Sequence, residues 1–522
     1  MAITLDGHEG KSLVLKVGLR ATSGGTVTNF WPAATIGTST LAADTPASTW
    51  IAGVLEPSLN FGRSLFSGCD PRNLSDPGTG VINLFDSGTE LDYLLDYSWD
   101  GVTVELYRGS KTALLSTWGA AVGKFTGKDI IGDFDRKQIR LRDTSWKLNC
   151  ILHSEYYTGA GGVNGDAAVT GHWKPYLIGE CFNFEPKLFD SANLIYQIHI
   201  RKCDSVSDVR HGGVSLVFDA NYANYADLVA ATPAVGEYAT CLDDGFIKIN
   251  VDLERSIRVD AIGEDVTING HTTPSNRSDI VRRIVTYDGA TTLDDTNDLD
   301  STSFAAVETD HPAPLGFYWN SEITKANAIK EVMSGILGWA YIKVNGKLAI
   351  GYLRIPSSVA SAETIAFKSY GMSKIELIDF QVPWTEIHIG WQKNYGPESR
   401  DRLAPGISSE DFGNLLGQES SWVVQGDPAI LTTYPSAPTV WIQGNFVNET
   451  DANDEANRQN FVMGVVRRRY RCTLEIDQFA DILEQYITIT DVNKLKLGSS
   501  TKMLCVAVDG VGFGPLTVEW WI

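Results

Sequence analysis

LTVEWWI, residues Leu516 to Ile522, reads as a β-strand with Leu516, Val518, Trp520 and Ile522 on one face. A segment this apolar is not a loose tail, so it is expected to be locked into a sheet. Just upstream, Met503 to Val508 and the Gly-rich turn Asp509 to Pro515 make the two runs a hairpin. Tyr486 to Thr490 and Tyr470 to Ile476 read as further strands. Trp384 to Trp391 (WTEIHIGW) alternates, with Thr385, Ile387, Ile389 and Trp391 on one side. A helix is expected near Asp451 to Arg468, opened by Asp451, Asp454 and Glu455 and closed by Arg467, Arg468 and Arg469. That is the order the helix dipole favours. Residues 383–522 are thus expected to form a C-terminal β-barrel-like domain.

Working toward the N-terminus, residues 273–382 read as an α+β domain. Thr273 to Tyr287 has a helical pattern with Ile280, Ile284 and Val285 inward and Arg282 and Arg283 exposed. Ser321 to Leu337 is a second helix whose apolar stripe is Ile329, Val332, Met333, Ile336 and Leu337. It leads into Trp339 to Val344, an Asn345-Gly346 turn and Lys347 to Arg354, a strong hairpin signal. The Met and aromatic residues here read as core. Residues 151–272 form a second β-rich domain, with strands at Leu194 to Ile200, Val214 to Phe218 and Phe246 to Val251, after a flexible Gly159 to Gly165 break. Residues 1–150 read as an N-terminal β-barrel-like domain, with strands at Leu13 to Leu19, Trp50 to Leu55, Val81 to Phe85, Val102 to Tyr107 and Gln138 to Leu141. Ser399 to Pro438, rich in Pro and Gly, reads as a long loop, either mobile or able to clasp a neighbouring subunit.

This order of elements resembles the tail-tip or baseplate hub proteins of long-tailed bacteriophages. The similarity rests on several segments taken in sequence. They are the strand ending in Trp391 to Asn394 (WQKN), the Leu403-Ala404 loop, the Ala- and Asn-rich helix, and the hairpin closing on Val518-Glu-Trp-Trp521. Upstream, Ile329 to Arg354, Ala234 to Val259 and Ile139 to Tyr196 are similar to the family's corresponding parts. The resemblance implies a mainly β fold of tandem barrel-like hub domains with an α+β insertion. It also implies a homotrimer on the tail axis that adapts a six-fold tube to a narrower tip. The partners it implies are the distal tail or tail tube protein above, fibre proteins around and the tape-measure protein inside. Ending at Ile522, the chain departs from larger hubs that carry fibronectin-like, fibre or peptidase extensions, so receptor binding is expected to be delegated. A distal tail or fibre-attachment protein and a β-rich carbohydrate-active enzyme are the alternatives.

Composition agrees with a virion component. The 522 residues suit three or four domains, and 43% hydrophobic content supplies ordinary cores. A formal net charge of −21 argues against nucleic-acid binding, which needs clustered Lys and Arg. Such acidity keeps a protein soluble, and it also suits a channel through which DNA slides without sticking. The seven cysteines (Cys69, Cys150, Cys181, Cys203, Cys241, Cys472, Cys505) are scattered without a Cys-x-x-Cys pair. They read as free, buried thiols of a protein folded in reducing cytoplasm. No secretion signal is read at the N-terminus, and no apolar run approaches the roughly 18 residues of a membrane span.

No motif for catalysis or cofactor binding is complete in the sequence. Gly10-Lys11-Ser12 lacks the first Gly of a phosphate loop, since Leu5 stands at that position. Gly159 to Gly165 lacks dinucleotide-binding spacing. The eight histidines (His8, His153, His172, His199, His211, His271, His311, His388) are dispersed and read as satisfied side chains rather than metal ligands. Asp294 to Asp300 lacks the Gly and terminal Glu of a calcium loop and reads as an acidic solvated turn. A glycosidase needs two carboxylates about 5 to 10 Å apart in an aromatic cleft. With 64 acidic residues and 14 tryptophans, sequence selects no such pair. No catalytic, cofactor or metal residue is assigned, and the expectation is a structural protein of the virion.

Overall fold

The computed structural model describes residues 11–21, 27–33, 50–52, 54–72, 78–85, 92–110, 121–251, 254–287, 289–369, 371–372, 374–409, 412, 417–475, 481–510 and 516–522, with side chains only from Phe61 onward. Its largest sheet has fifteen strands and is made from both ends of the chain. Ile375–Gln381 forms one edge, followed by Arg467–Leu474, Leu516–Trp521 and Ser500–Asp509. The next strand is Val54–Ser64, which leads through Thr79–Phe85, Arg136–Arg142, Gly123–Gly132 and Thr103–Ser110 to Lys11–Ala21. The seam between the halves is narrow among the described residues, with Ser64 opposite Ala507, Arg63 opposite Val508 and the Leu65 amide donating to the Val506 carbonyl at 2.8 Å. The architecture is mainly β with an α+β insertion, and its sheets stay open: the two halves join edge to edge rather than each closing on itself.

LTVEWWI behaves as its pattern requires. Leu516–Trp521 pairs antiparallel with Arg467–Leu474 on one side and Ser500–Asp509 on the other, so it is an interior strand. Leu516, Val518 and Trp520 are fully buried, and so is Trp521 on the opposite face. The sequence pattern missed that second burial because both sides of the strand are covered here. Trp521 donates from Nε1 to the Cys69 carbonyl at 3.0 Å and packs edge-on against Phe66. The turn at 511–515 and Ile476 lie outside the described residues.

Three helices and a hairpin pack beneath this sheet and share its apolar core. Two of the helices start later than the periodicity suggested. Arg277–Thr286 begins after Asn276 and Lys325–Ser334 after Thr324, because those side chains accept the first free amides, of Asp279 and Asn327. Ser301–Asp310, capped by Asp300, was not anticipated. Arg282 and Arg283, expected outside, are buried. Arg283 bonds Glu264 at 2.9 Å and stacks on Tyr287, while Arg282 pairs with Asp295 and lies over Phe304. The hairpin joins Gly338–Ile342 to Leu348–Tyr352. Its turn is longer than a two-residue Asn-Gly loop. Gly346 (φ +81°) donates to the Lys343 carbonyl and Lys343 donates to the Lys347 carbonyl, the signature of a type I turn closed by a left-handed Gly.

Two corrections fall in the C-terminal third. The helix Glu449–Met463 stops at Gly464, and Arg467, Arg468 and Arg469 open the strand Arg467–Leu474 instead of ending the helix. Ser399 to Pro438 is not all loop, because Ser421–Gly426 pairs with Glu386–Trp391 and so forms part of a three-stranded sheet covered by that helix. All seven cysteines are free, and six are buried with Cys150 partly so. Titration with a thiol reagent in denaturant without reductant should count seven thiols. A count of five or fewer would show that pairs form in the purified protein.

Candidate functional site

Two kinds of place stand out: a polar joint that binds the two ends of the chain to the α+β unit, and sheet edges that expose apolar side chains. In the joint, the Arg63 guanidinium donates to the Ile342 carbonyl at 3.2 Å and lies 3.6 Å from Asp481. Lys343 bonds Asp300 at 2.9 Å. Arg469 bonds Glu519 and donates to the carbonyls of Phe66 and Gly68 at 2.9 and 2.6 Å, stitching the C-terminal strands to residues 66–68. Burial pushes the Glu484 carboxyl up to about 7, against the bond from the Tyr341 hydroxyl at 2.8 Å. The Arg63 and Arg469 contacts join segments hundreds of residues apart in the chain.

A second buried network centres on Glu264. It accepts from the Tyr176 hydroxyl at 2.9 Å, Arg201 at 2.7 Å and Arg283 at 2.9 Å. Burial alone would raise this carboxyl, but the Arg283 bond, with the charge of Arg201 close by, reverses that and holds it at about 2. His153 stacks on Tyr176 and His199 meets the same ring edge-on. Backbone amides of Glu155 and Leu177 donate to their Nδ1 atoms, which fixes both rings as neutral acceptors. Burial holds His153 at about 4, His199 at about 3 and His311 at about 4. Sequence spacing gave no hint that His153 and His199 share one aromatic neighbour.

The remaining candidates from sequence separate. His8 and Gly10 lie outside the described residues, while Lys11 and Ser12 pair in a strand with Ser110 and Gly109. Gly159 to Gly165 is a turn tied by its own backbone bonds. In the acidic run, Asp294 accepts the amides of Thr296 and Asn297, Asp295 pairs with Arg282, and Asp300 caps a helix. Among the described residues, His271, Asp279 and Glu308 form one group of metal-ligating type. There the imidazole already bridges the carboxylates, with Nδ1 2.7 Å from Asp279 and Nε2 3.6 Å from Glu308. His388 lies flat on Trp441, 3.7 Å between ring centres.

The open surfaces are sheet edges bearing apolar side chains. Val217–Asn221 ends one five-stranded sheet and exposes Val217 and Phe218. Ile375–Gln381 ends the fifteen-stranded sheet and exposes Leu377 and Phe380, the latter to 64%. Trp422, Val424 and Trp441 are exposed on the two outer strands of the three-stranded sheet. Among the described residues, no helix is long and apolar enough to cross a membrane.

No protein-family model matches the chain, and no curated protein matches it. Among solved structures, it is similar to a 43 kDa tail protein of prophage MuSo2 from Shewanella oneidensis, at 10% identity and a TM-score of 0.36, over 98% of each chain. A tail protein from Neisseria meningitidis MC58 is similar at 10% identity and a TM-score of 0.36, over 98% of this chain and 96% of that one. A prophage tail protein from Listeria monocytogenes EGD-e is similar at 7% identity and a TM-score of 0.34, over 98% and 94%. Similarity at this level does not define a role for the chain.

Proposed function

We propose that the chain is a structural component of a phage virion, the central hub of the tail tip or baseplate. In this reading it forms a trimeric ring that joins the distal tail or tail tube protein to the tip and its fibres, around the tape-measure protein. The observation that carries the proposal is the set of sheet edges with exposed Val, Leu, Phe and Trp side chains. Such edges invite aggregation in a free monomer, and a closed symmetric assembly covers them. The order of elements along the sequence, which resembles phage hubs, supports the same reading. So does the net charge of −21, which suits a lumen that lets DNA pass without binding it. The role is architectural, and the cross-linked joint around Arg63, Lys343 and Glu484 holds the subunit rigid for it.

Mass and symmetry of the chain in a virion or a reconstituted tail tip test this directly. Three copies around the tail axis are expected. Six copies would mark a distal-tail ring instead, and a monomer absent from particles would end the structural reading.

A further inference from the structure

A tight turn fixes the place of His271. Thr267 and Ile268 pair antiparallel with Thr272 and His271. Between them Asn269 (φ +50°) and Gly270 (φ +83°) are both left-handed, the two-residue loop that Asn-Gly favours. The imidazole meets the helix Arg277–Thr286, where its Nδ1 stands 2.7 Å from the Asp279 carboxylate. Asp279 is fully buried, and the Asn276 side-chain amide donates to the same carboxylate oxygen at 2.6 Å. Its other oxygen, Oδ1, has no hydrogen-bond partner among the described residues, so the charge of this buried carboxylate is only partly met.

Glu308 reaches the same ring from the last turn of the helix Ser301–Asp310, where the helix dipole favours a cation. Asn269 donates to Glu308 Oε2 at 3.0 Å, leaving Oε1 as the oxygen that meets Nε2 of His271. These two atoms are 3.6 Å apart, too far for a hydrogen bond. The separation is close to that of two ligands on one ion, since at bonds of about 2.0 to 2.2 Å and a tetrahedral angle ligand atoms stand about 3.4 Å apart. The two contacts of the ring therefore differ in kind. Nδ1 has a carboxylate at hydrogen-bonding distance, the arrangement that orients a metal-ligating histidine. Nε2 has a carboxylate at the spacing of a co-ligand. Both charged groups acting on the ring are negative, and a divalent cation held by a neutral imidazole cancels them. His271 is half exposed, which gives an ion and its waters access.

We propose that Nε2 of His271 and the Glu308 carboxylate bind a divalent transition cation, with Asp279 and Asn269 as positioning residues and water filling the open places. An imidazole nitrogen beside a carboxylate suits Zn2+ better than Mg2+ or Ca2+, which take oxygen shells. The ion staples the turn that carries His271 to the end of the helix Ser301–Asp310, and the folded chain gains stability with its occupancy.

The test is zinc titration of the full chain, first freed of metal with a chelator, read by calorimetry and by thermal melting. One Zn2+ per chain is expected, with a raised melting temperature. His271→Ala and Glu308→Gln should each weaken binding roughly tenfold or more and abolish the rise. Glu308→Gln keeps an acceptor for Asn269, so its melting temperature without zinc should match the parent's. Asp279→Asn removes no metal ligand, yet should weaken binding by about ten- to a hundredfold. Co2+ in place of Zn2+ should give visible d–d absorption that His271→Ala changes. Zinc uptake and cobalt absorption that are the same in the parent, His271→Ala and Glu308→Gln would mark adventitious binding by other side chains and overturn the site. A parent chain that takes up no zinc at millimolar concentration overturns it as well.

Discussion

Lowering the pH from 7 toward 4 should strip this protein of much of its stability. His153, His199 and His311 are buried, and that burial holds them at about 4, 3 and 4. Unfolded, each titrates near 6.5. Between those limits the unfolded chain binds protons that the folded chain refuses, so stability falls as pH falls. Glu484 acts the other way: burial raises it to about 7, so the folded state keeps a proton that the unfolded chain releases above about 4.3. The three histidines outweigh Glu484 through the window from 6.5 to about 4.5, while the raised carboxyls of Asp143, Asp481 and Glu180 and the raised imidazole of His271 reduce the difference. At about 1.4 kcal/mol per proton per pH unit, a net of about one proton removes roughly 3 kcal/mol over two units, a large share of the stability of a typical domain. Nε2 of His199 and of His311 has no hydrogen-bond partner among the described residues, and although Glu264 near His199 and Glu455, 3.7 Å from Nδ1 of His311, favour the charged rings, burial outweighs them. Urea unfolding at pH 7, 6 and 5 measures the slope. A flat unfolding free energy across that range would show these imidazoles to be hydrated. Glu484→Gln should steepen the loss by removing the opposing carboxyl, and His199→Gln, which preserves an acceptor for the Leu177 amide, should make it shallower.

Much of the fold was legible because apolar alternation and helical spacing report burial directly. Ile387 and Ile389 face the core as WTEIHIGW requires, and the whole stripe from Ile329 to Leu337 is buried. Local rules failed where distant partners decide the outcome. Arg282 and Arg283 look like exposed helix positions until Asp295 and Glu264 arrive from other parts of the chain. Arg467 to Arg469 look like a helix end, yet Arg469 is committed to Glu519 and to carbonyls some four hundred residues upstream. Asp300 before Ser301 is a readable cap for the helix Ser301–Asp310, but it closes an acidic run that by itself reads as a solvated turn. The exposed apolar edges were the least legible part. Phe218 and Phe380 carry the same letter as core phenylalanines, and only their places on edge strands explain why each is more than half exposed.

Deleting Leu516 to Ile522 should abolish folding. The strand Leu516–Trp521 is bordered by Arg467–Leu474 and Ser500–Asp509, so its removal strips hydrogen-bond partners from both neighbours at once. Leu516, Val518, Trp520 and Trp521 are fully buried. At roughly 1.5 to 3 kcal/mol for each large side chain, their loss costs on the order of 6 to 12 kcal/mol before any cavity term. That rivals the whole stability of a typical domain, about 5 to 15 kcal/mol. Three specific bonds go as well: Trp520 Nε1 to the Cys472 thiol and Trp521 Nε1 to the Cys69 carbonyl, both at 3.0 Å, and the Glu519 carboxylate to Arg469. The truncation also leaves Arg469 buried without its acid, which is worse than losing both partners. Point variants grade the effect. Trp520→Ala and Trp521→Ala should each cost about 3 to 5 kcal/mol. Thr517→Ala, on a half-exposed side chain, should change stability by no more than about 0.5 kcal/mol. The decisive measurement is the soluble yield and melting curve of residues 1–515. A soluble product with the parent melting temperature would mean that the strand decorates the sheet, whereas its position between two partners requires that it hold the sheet together.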